Sequence, residues 1–315
     1  MGVNEVTDVP ASLNIIQFDI PVEYNQTPTL SFCRSAQGIT YLSKHNSLIV
    51  IDENKIFSLP LNSPLILSRA HQQKIAYLTN NDFGYLKYNP YSGVSLKSIR
   101  PLSSEIPQNF APKNIAYNSK HTFFATSKGL FISEEDSLHF QSFQNHPCRV
   151  FNGGSHIYLH VLSLGVFRWN GESFDQVISE SLPGNTIINS ITDWNDGLIM
   201  SSKDMHIFYM EKNSEYVKAP LPPPFANHQF SHFQKVPGNK ILFIEQNQTL
   251  NIFDHESQCI QEFNINFPLP ETKLVSMQKD QFMDIWFVYN FNVFKLSYPG
   301  NTLTINLSES ISEII

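Results

Sequence analysis

Gly38-Ile39-Thr40-Tyr41-Leu42 is followed, after a polar break, by Leu48-Ile49-Val50-Ile51, and this pairing decides the fold because it returns along the chain. Lys74-Ile75-Ala76-Tyr77-Leu78 precedes Gly84-Tyr85-Leu86-Lys87-Tyr88, and Thr122-Phe123-Phe124-Ala125 precedes Gly129-Leu130-Phe131-Ile132. His156-Ile157-Tyr158-Leu159 likewise precedes Gly165-Val166-Phe167-Arg168-Trp169. Fainter copies join Gly197-Leu198-Ile199-Met200 to Ile207-Phe208-Tyr209, Lys240-Ile241-Leu242-Phe243 to Leu250-Asn251-Ile252-Phe253, and Asp284-Ile285-Trp286-Phe287 to Val293-Phe294-Lys295-Leu296. One such unit cannot bury its own apolar faces, so recurrence at this period marks a repeat architecture. The copies lie about 41 residues apart on average, the length of a four-stranded propeller blade. The expected fold is all-β: a seven-bladed β-propeller of four-stranded antiparallel blades.

Working outward from these pairs, each blade needs a strand before and a looser strand after. The first blade is expected to have strands at 30–34, 39–42, 48–51 and 55–61, and the fourth at 148–151, 157–161, 165–169 and 174–178. Polar or glycine-bearing reversals such as Asn152-Gly153-Gly154 and Asn170-Gly171-Glu172 separate them. Blades are expected at 29–62, 63–105, 111–145, 146–182, 185–220, 227–266 and 271–308 of a single domain spanning 1–315. Residues 13–20 read as a strand that closes the ring on the last blade, although 303–307 also reads as that blade's own fourth strand. Pro220-Leu221-Pro222-Pro223-Pro224-Phe225 reads as a polyproline-like connector between blades.

Composition narrows the function classes. The net charge is −7 with 16% charged residues, and no basic cluster exceeds two or three residues, which excludes a nucleic-acid surface held by counterion release. No run of eighteen apolar residues and no basic-then-apolar start is present, so neither membrane insertion by this chain nor an export signal is expected. Cys33, Cys148 and Cys259 are too few and too far apart for a disulfide framework or a zinc site, and read as buried free thiols.

Three stretches resemble a known family. Asn80-Asn81-Asp82-Phe83-Gly84-Tyr85-Leu86 is similar to the Asn-Glu-Phe-Gly-Tyr-Phe segment of sensor propellers of the two-component-regulator type. Lys128-Gly129-Leu130-Phe131-Ile132 and Leu164-Gly165-Val166-Phe167-Arg168-Trp169-Asn170-Gly171 resemble the family's recurrent Gly-Leu-Phe strand and turn. Ile56-Phe57-Ser58-Leu59-Pro60-Leu61 resembles its outer strand. The similarity covers about residues 38–180 and specifies a blade more than a ligand. It implies a ligand-sensing propeller placed outside the inner membrane of a bacterial signalling protein, followed in relatives by further domains.

A search for chemistry finds no repeated sialidase box, no Gly-x-Ser-x-Gly elbow and no phosphate-cradling loop. His228 and His232 lack a third metal ligand and a partnering Glu, and read as solvent or channel-lining residues. His156 and His160 share one face of a strand. Glu134-Glu135-Asp136 lacks the glycine pivot of a calcium loop. No catalytic residue, metal or cofactor is therefore expected.

In a propeller, the loops joining second to third strands and each fourth strand to the next blade meet on one face. There the ligand-binding candidates are His45, Asn46, Arg69, Asn80, Asn81, Asp82, Lys128, Arg149, His228 and Asn290, with Lys44, Lys113, Asn114, Asn292 and Lys273 beside them. Exposed turns are polar in any propeller, so placement alone nominates this set. The expected function is non-enzymatic recognition of a polar small molecule, glycan or protein partner. The alternative is an intracellular protein-interaction scaffold; a lyase or hydrolase is the weakest reading. The expected compartment is periplasmic or extracellular for a sensor region and cytoplasmic otherwise.

Overall fold

A computed structural model describes residues 14–297 except 19, 54, 102–108, 136, 145, 179–181, 183–185, 195–196, 204–206, 211–229, 237–239, 246–249, 255–258, 264–273, 281–283 and 290–291. The chain opens with β1 (Asn14–Phe18), then builds a meander from β2 (Ser31–Arg34), β3 (Thr40–Ser43), β4 (Ser47–Asp52) and β5 (Lys55–Pro60). The next meander holds β6 (Ile66–Arg69), β7 (Ile75–Leu78), β8 (Phe83–Asn89) and β9 (Gly93–Ser98). A third holds β10 (Pro112–Tyr117), β11 (His121–Thr126), β12 (Gly129–Glu134) and β13 (Ser137–Ser142). A fourth holds β14 (Cys148–Asn152), β15 (Ile157–Val161), β16 (Gly165–Trp169) and β17 (Phe174–Ile178).

Beyond these lie β18 (Ile188–Trp194), β19 (Gly197–Ser202) and β20 (Ile207–Met210), then β21 (Phe230–Val236), β22 (Lys240–Glu245), β23 (Leu250–Asp254) and β24 (Cys259–Phe263). The chain finishes with β25 (Leu274–Lys279), β26 (Ile285–Tyr289) and β27 (Asn292–Ser297). Every pairing is antiparallel, as in a β-propeller.

Four-stranded blades number six among the described residues, not the expected seven, because the sheet of β18–β20 shows three strands. The polyproline stretch and the 303–307 strand both lie outside the described residues. Ring closure follows the other expectation: β1 pairs with β27, Asn14 opposite Ser297 and Phe18 opposite Val293, and is the outer strand of the last blade.

The core is a set of dry seams between neighbouring sheets. Cys33, Tyr41, Val50, Leu67, Ile75 and Tyr77 fill the first. At the second, Phe83 packs on Phe131 and Phe124 with centroids 4.6 and 5.0 Å apart. Phe32, Leu42, Ile49, Trp286, Val288 and Val293 join the last blade to the first. Second strands, flanked on both faces, are wholly buried: β3, β7, β11 and β15. Fourth strands such as β13 are mostly exposed. Burial therefore peaks at the second strands and falls toward the outer edge.

Candidate functional site

The inner strands β2, β6, β10, β14, β18, β21 and β25 contribute to the wall of a central cavity of about 660 Å³. Several wall positions are occupied by small or amide side chains that clasp the neighbouring blade. Ser31 Oγ accepts from Leu67 N at 2.9 Å. Asn114 accepts from Val150 N at 3.0 Å and donates to Val150 O. Ser190 Oγ donates to Phe233 O at 3.2 Å. Gln278 Nε2 reaches Leu67 O at 3.4 Å and ties β25 to β6. These bonds replace ladder partners that an innermost strand lacks and satisfy the backbone groups they reach.

Irregular pairing turns further side chains inward. The β10–β11 register shifts between Pro112 and Asn114, and the β18–β19 register between Ile188 and Ser190. The intervening Lys113 and Asn189 both line the cavity, as expected where a bulge re-aims a side chain. His232 lines it too, and its buried Nδ1 has no hydrogen-bond partner among the described residues. Burial holds the His232 imidazole down to about 4, so it is neutral at ordinary pH.

One end of the cavity is formed by first-to-second strand loops. There Asp193, 8% exposed, gathers a set of donors from the neighbouring blade. Tyr158 Oη and Ser155 Oγ each donate to it at 2.6 Å, and Ser155 N at 2.8 Å. His156 Nδ1 lies 3.3 Å from the same carboxylate, with its side chain 44% exposed. Burial works to raise the Asp193 carboxyl, but Ser155, Tyr158 and His156 outweigh it and hold it below the usual range. Burial, then the bond to Asp193, pushes the Tyr158 phenol up. The result is an ionised carboxylate under a solvent-reachable imidazole.

The sequence candidates fall in several places. His45, Asn46, Asn80, Asn81, Asp82 and Lys128 occupy second-to-third strand loops as expected, at the opposite end of the blades from His156. They do not line the cavity, and several are engaged in building their turns. Asn46 O accepts from Leu61 N, and Asn80 O from Phe110 N. Asp82 accepts from Ser98 Oγ at 2.6 Å, Tyr77 Oη at 2.7 Å and Phe83 N at 2.8 Å. Lys44 is buried, donating to Thr27 O at 2.8 Å and Asn25 Oδ1 at 3.3 Å, and burial lowers its ammonium to about 8.

Arg149, the second residue of β14, lies opposite His160, and burial lowers both, the imidazole to about 4. Arg69 ends β6 and so sits at the other end from the loop face, yet it does line the cavity. His228, Asn290 and Lys273 lie outside the described residues. Lys279 and Asp193 were missed: neither stands in a motif, and only the ring brings them to the axis.

A second cavity of about 660 Å³ is lined by His71, Gln72, Ser119, Lys120, Glu134, Glu135 and Ser137, a mixed-charge surface. Among the described residues no three His, Cys, Asp or Glu side chains are grouped to hold a metal ion. Cys33 and Cys148 are free and buried, and burial pushes both thiols up to about 12. No helix of the described residues is long and apolar enough to cross a membrane.

No family model matches the chain, and no curated protein matches it in sequence. Solved structures do match. A catalytically inactive virginiamycin B lyase from Staphylococcus aureus, solved with Quinupristin, is similar over 91% of this chain and 100% of its own, with 15% identity and a TM-score of 0.65. The extracellular domain of BT3049 from B. thetaiotaomicron, assigned to a hybrid two-component system, is similar over 87% of this chain and 39% of its own, with 14% identity and a TM-score of 0.63. YCF48 bound to D1 peptide is similar over 92% of this chain and 99% of its own, with 11% identity and a TM-score of 0.62. The likeness to two-component sensor domains is thus seen in three dimensions as well as in residues 38–180. At these identities what the chain shares with all three is the fold, an all-β propeller.

Proposed function

We propose that this propeller is the ligand-recognising part of a signalling protein, a non-enzymatic sensor that binds a polar small molecule or glycan at its axis. The observation that carries this reading is the 660 Å³ cavity walled by Ser, Asn, Gln and His side chains. Its size suits a small ligand, and convergent donors and acceptors suit hydroxyl-rich chemistry. The likeness to extracellular sensor domains supports the same reading and a place outside the cytoplasm. Propellers also dock proteins, as the peptide-bound YCF48 illustrates, and the outer loop face stays open to that use.

Thermal-shift screening of the full chain against saccharides tests the proposal. A binding saccharide is expected to raise the melting temperature, and Gln234→Leu on the cavity wall is expected to lose that rise. No shift with any saccharide, or an undiminished shift in the variant, counts against an axial site.

A second reading, a lyase, draws on one arrangement: an exposed His156 imidazole oriented by buried Asp193, as a general base requires. Loss of Quinupristin on incubation with the chain, abolished by His156→Ala, would favour it. Stability of Quinupristin in that assay counts against this substrate for the lyase reading.

A further inference from the structure

The charge of the axial cavity runs against the charge of the chain. The protein carries a formal −7, yet the described lining of the cavity holds Arg69, Lys113 and Lys279 and no Asp or Glu; the Asp193 carboxylate lies just behind that lining, bonded to Ser155 and 3.3 Å from His156. Two of these cations mark the same end: Arg69 is the last residue of β6 and Lys279 the last of β25. Gln278, next to Lys279, reaches Leu67 O, two residues before Arg69, which ties their strands together.

Lys235, near the end of β21, lies beside them. Lys279 Nζ is 3.5 Å from Lys235 O, and a methyl on Gly154 would lie 3.8 Å from Lys235 Cδ and 3.3 Å from Asp193 Oδ2, so the Lys235 stem and the Asp193 carboxylate flank the same point. Arg34 ends β2 at this end too, but it stacks on Trp286 at 4.8 Å and feels Asp280 and Asp284. By contrast, neither Arg69 nor Lys113 pairs with a carboxylate among the described residues. Burial, then the neighbouring Lys235 charge, lowers the Lys279 ammonium. At the same end of the cavity stand the polar wall residues Asn152, Ser155 and His156.

We propose that the axial ligand is a small organic anion, a sugar acid in class, seated with its carboxylate on Arg69 and Lys279 and its hydroxyls toward Asn152, Ser155 and His156. The inference rests on the axial binding site of the proposed sensor and names its substrate class. Arg supplies a planar fork matched to a carboxylate, and Lys279 adds a point charge that the ligand neutralises. Partial desolvation weakens the screening of this attraction by salt without abolishing it.

Calorimetric titration of the full chain with glucuronate, glucose and inorganic phosphate decides it, using Arg69→Gln, Lys279→Gln and the exposed Lys87→Gln as control. Glucuronate is expected to bind with glucose at least about tenfold weaker, and each cavity variant to weaken glucuronate about tenfold. Lys87→Gln should bind as the parent does, and the affinity should fall as salt rises. Removing one of two like charges relieves repulsion, so Lys279→Gln is expected to fold, and its melting temperature confirms that.

Phosphate binding that needs the same two cations, without glucuronate binding, would move the anion from a carboxylate to a phosphate ester and overturn the sugar-acid assignment. Binding of neither anion, or binding untouched by both cavity variants, overturns the proposal entirely. Glucose binding in that case leaves the axial sensor reading standing, whereas failure of every saccharide removes that reading as well.

Discussion

Gly84 shows what the family-like residues do. A β-carbon there would overlap the carbonyl oxygen of Lys97 on β9, so the third strand of this blade approaches its fourth too closely for any side chain. Gly129 meets the same limit against Gln141, at the start of β12. Asp82, two residues before Gly84, accepts three hydrogen bonds and closes the turn. The Asn-Asp-Phe-Gly-Tyr stretch is thus recognisable from sequence because it builds a blade, and for the same reason it says nothing of a ligand. Gly84→Ala is expected to cost about 2 kcal/mol, since the overlap is with backbone that cannot rotate away. Urea unfolding of the variant measures it; a loss near zero would mean that the β8–β9 spacing relaxes freely.

At the scale of elements, legibility follows burial. Second strands are enclosed by neighbouring blades, so Thr40–Ser43 and Thr122–Thr126 had to be apolar or small and stood out in the sequence. Fourth strands meet solvent and carry fewer constraints, yet those at 55–61 and 174–178 were legible, and those expected after Met210 and at 303–307 lie outside the described residues. The closing strand β1 was legible, but its precedence over 303–307 was settled only by pairing with β27. Phe18 packs edge-on against Trp286 at 5.9 Å, with Ile20 and Tyr24 on the same seam. Deleting residues 1–20 is therefore expected to cost about 3 kcal/mol or more through lost apolar burial, and to bare the β27 edge. Denaturant unfolding followed by Trp286 emission reads both effects; an unchanged midpoint would show that β1 is dispensable.

For the whole molecule, blade contacts couple the buried groups to one transition. His160 and His232 are held down to about 4 by burial, His160 also by Arg149, whereas an unfolded histidine titrates near 6.5. The unfolded chain therefore takes up these protons first, and stability present above pH 6.5 is lost as pH falls toward 4. Each site contributes at most about 3 kcal/mol to that loss. Unfolding midpoints from pH 7 to 4 are expected to fall in the parent and more gently in His160→Gln. Parallel profiles would show that His160 is not among the groups responsible.

The sequence alone determined that this chain is an all-β propeller and where its buried strands run, because a 41-residue rhythm of apolar pairs is imposed by burial between blades. It also carried the likeness to sensor propellers, whose motif residues are blade-building turns and close backbone approaches. The axial site was decided by tertiary structure. Arg69, Lys279, Asp193 and His156 come from distant parts of the chain and share no local pattern, and only closure of the ring brings strand ends together about one axis. A residue's address within a strand is written in its neighbours, but which end of the ring it guards depends on the direction of every strand around it.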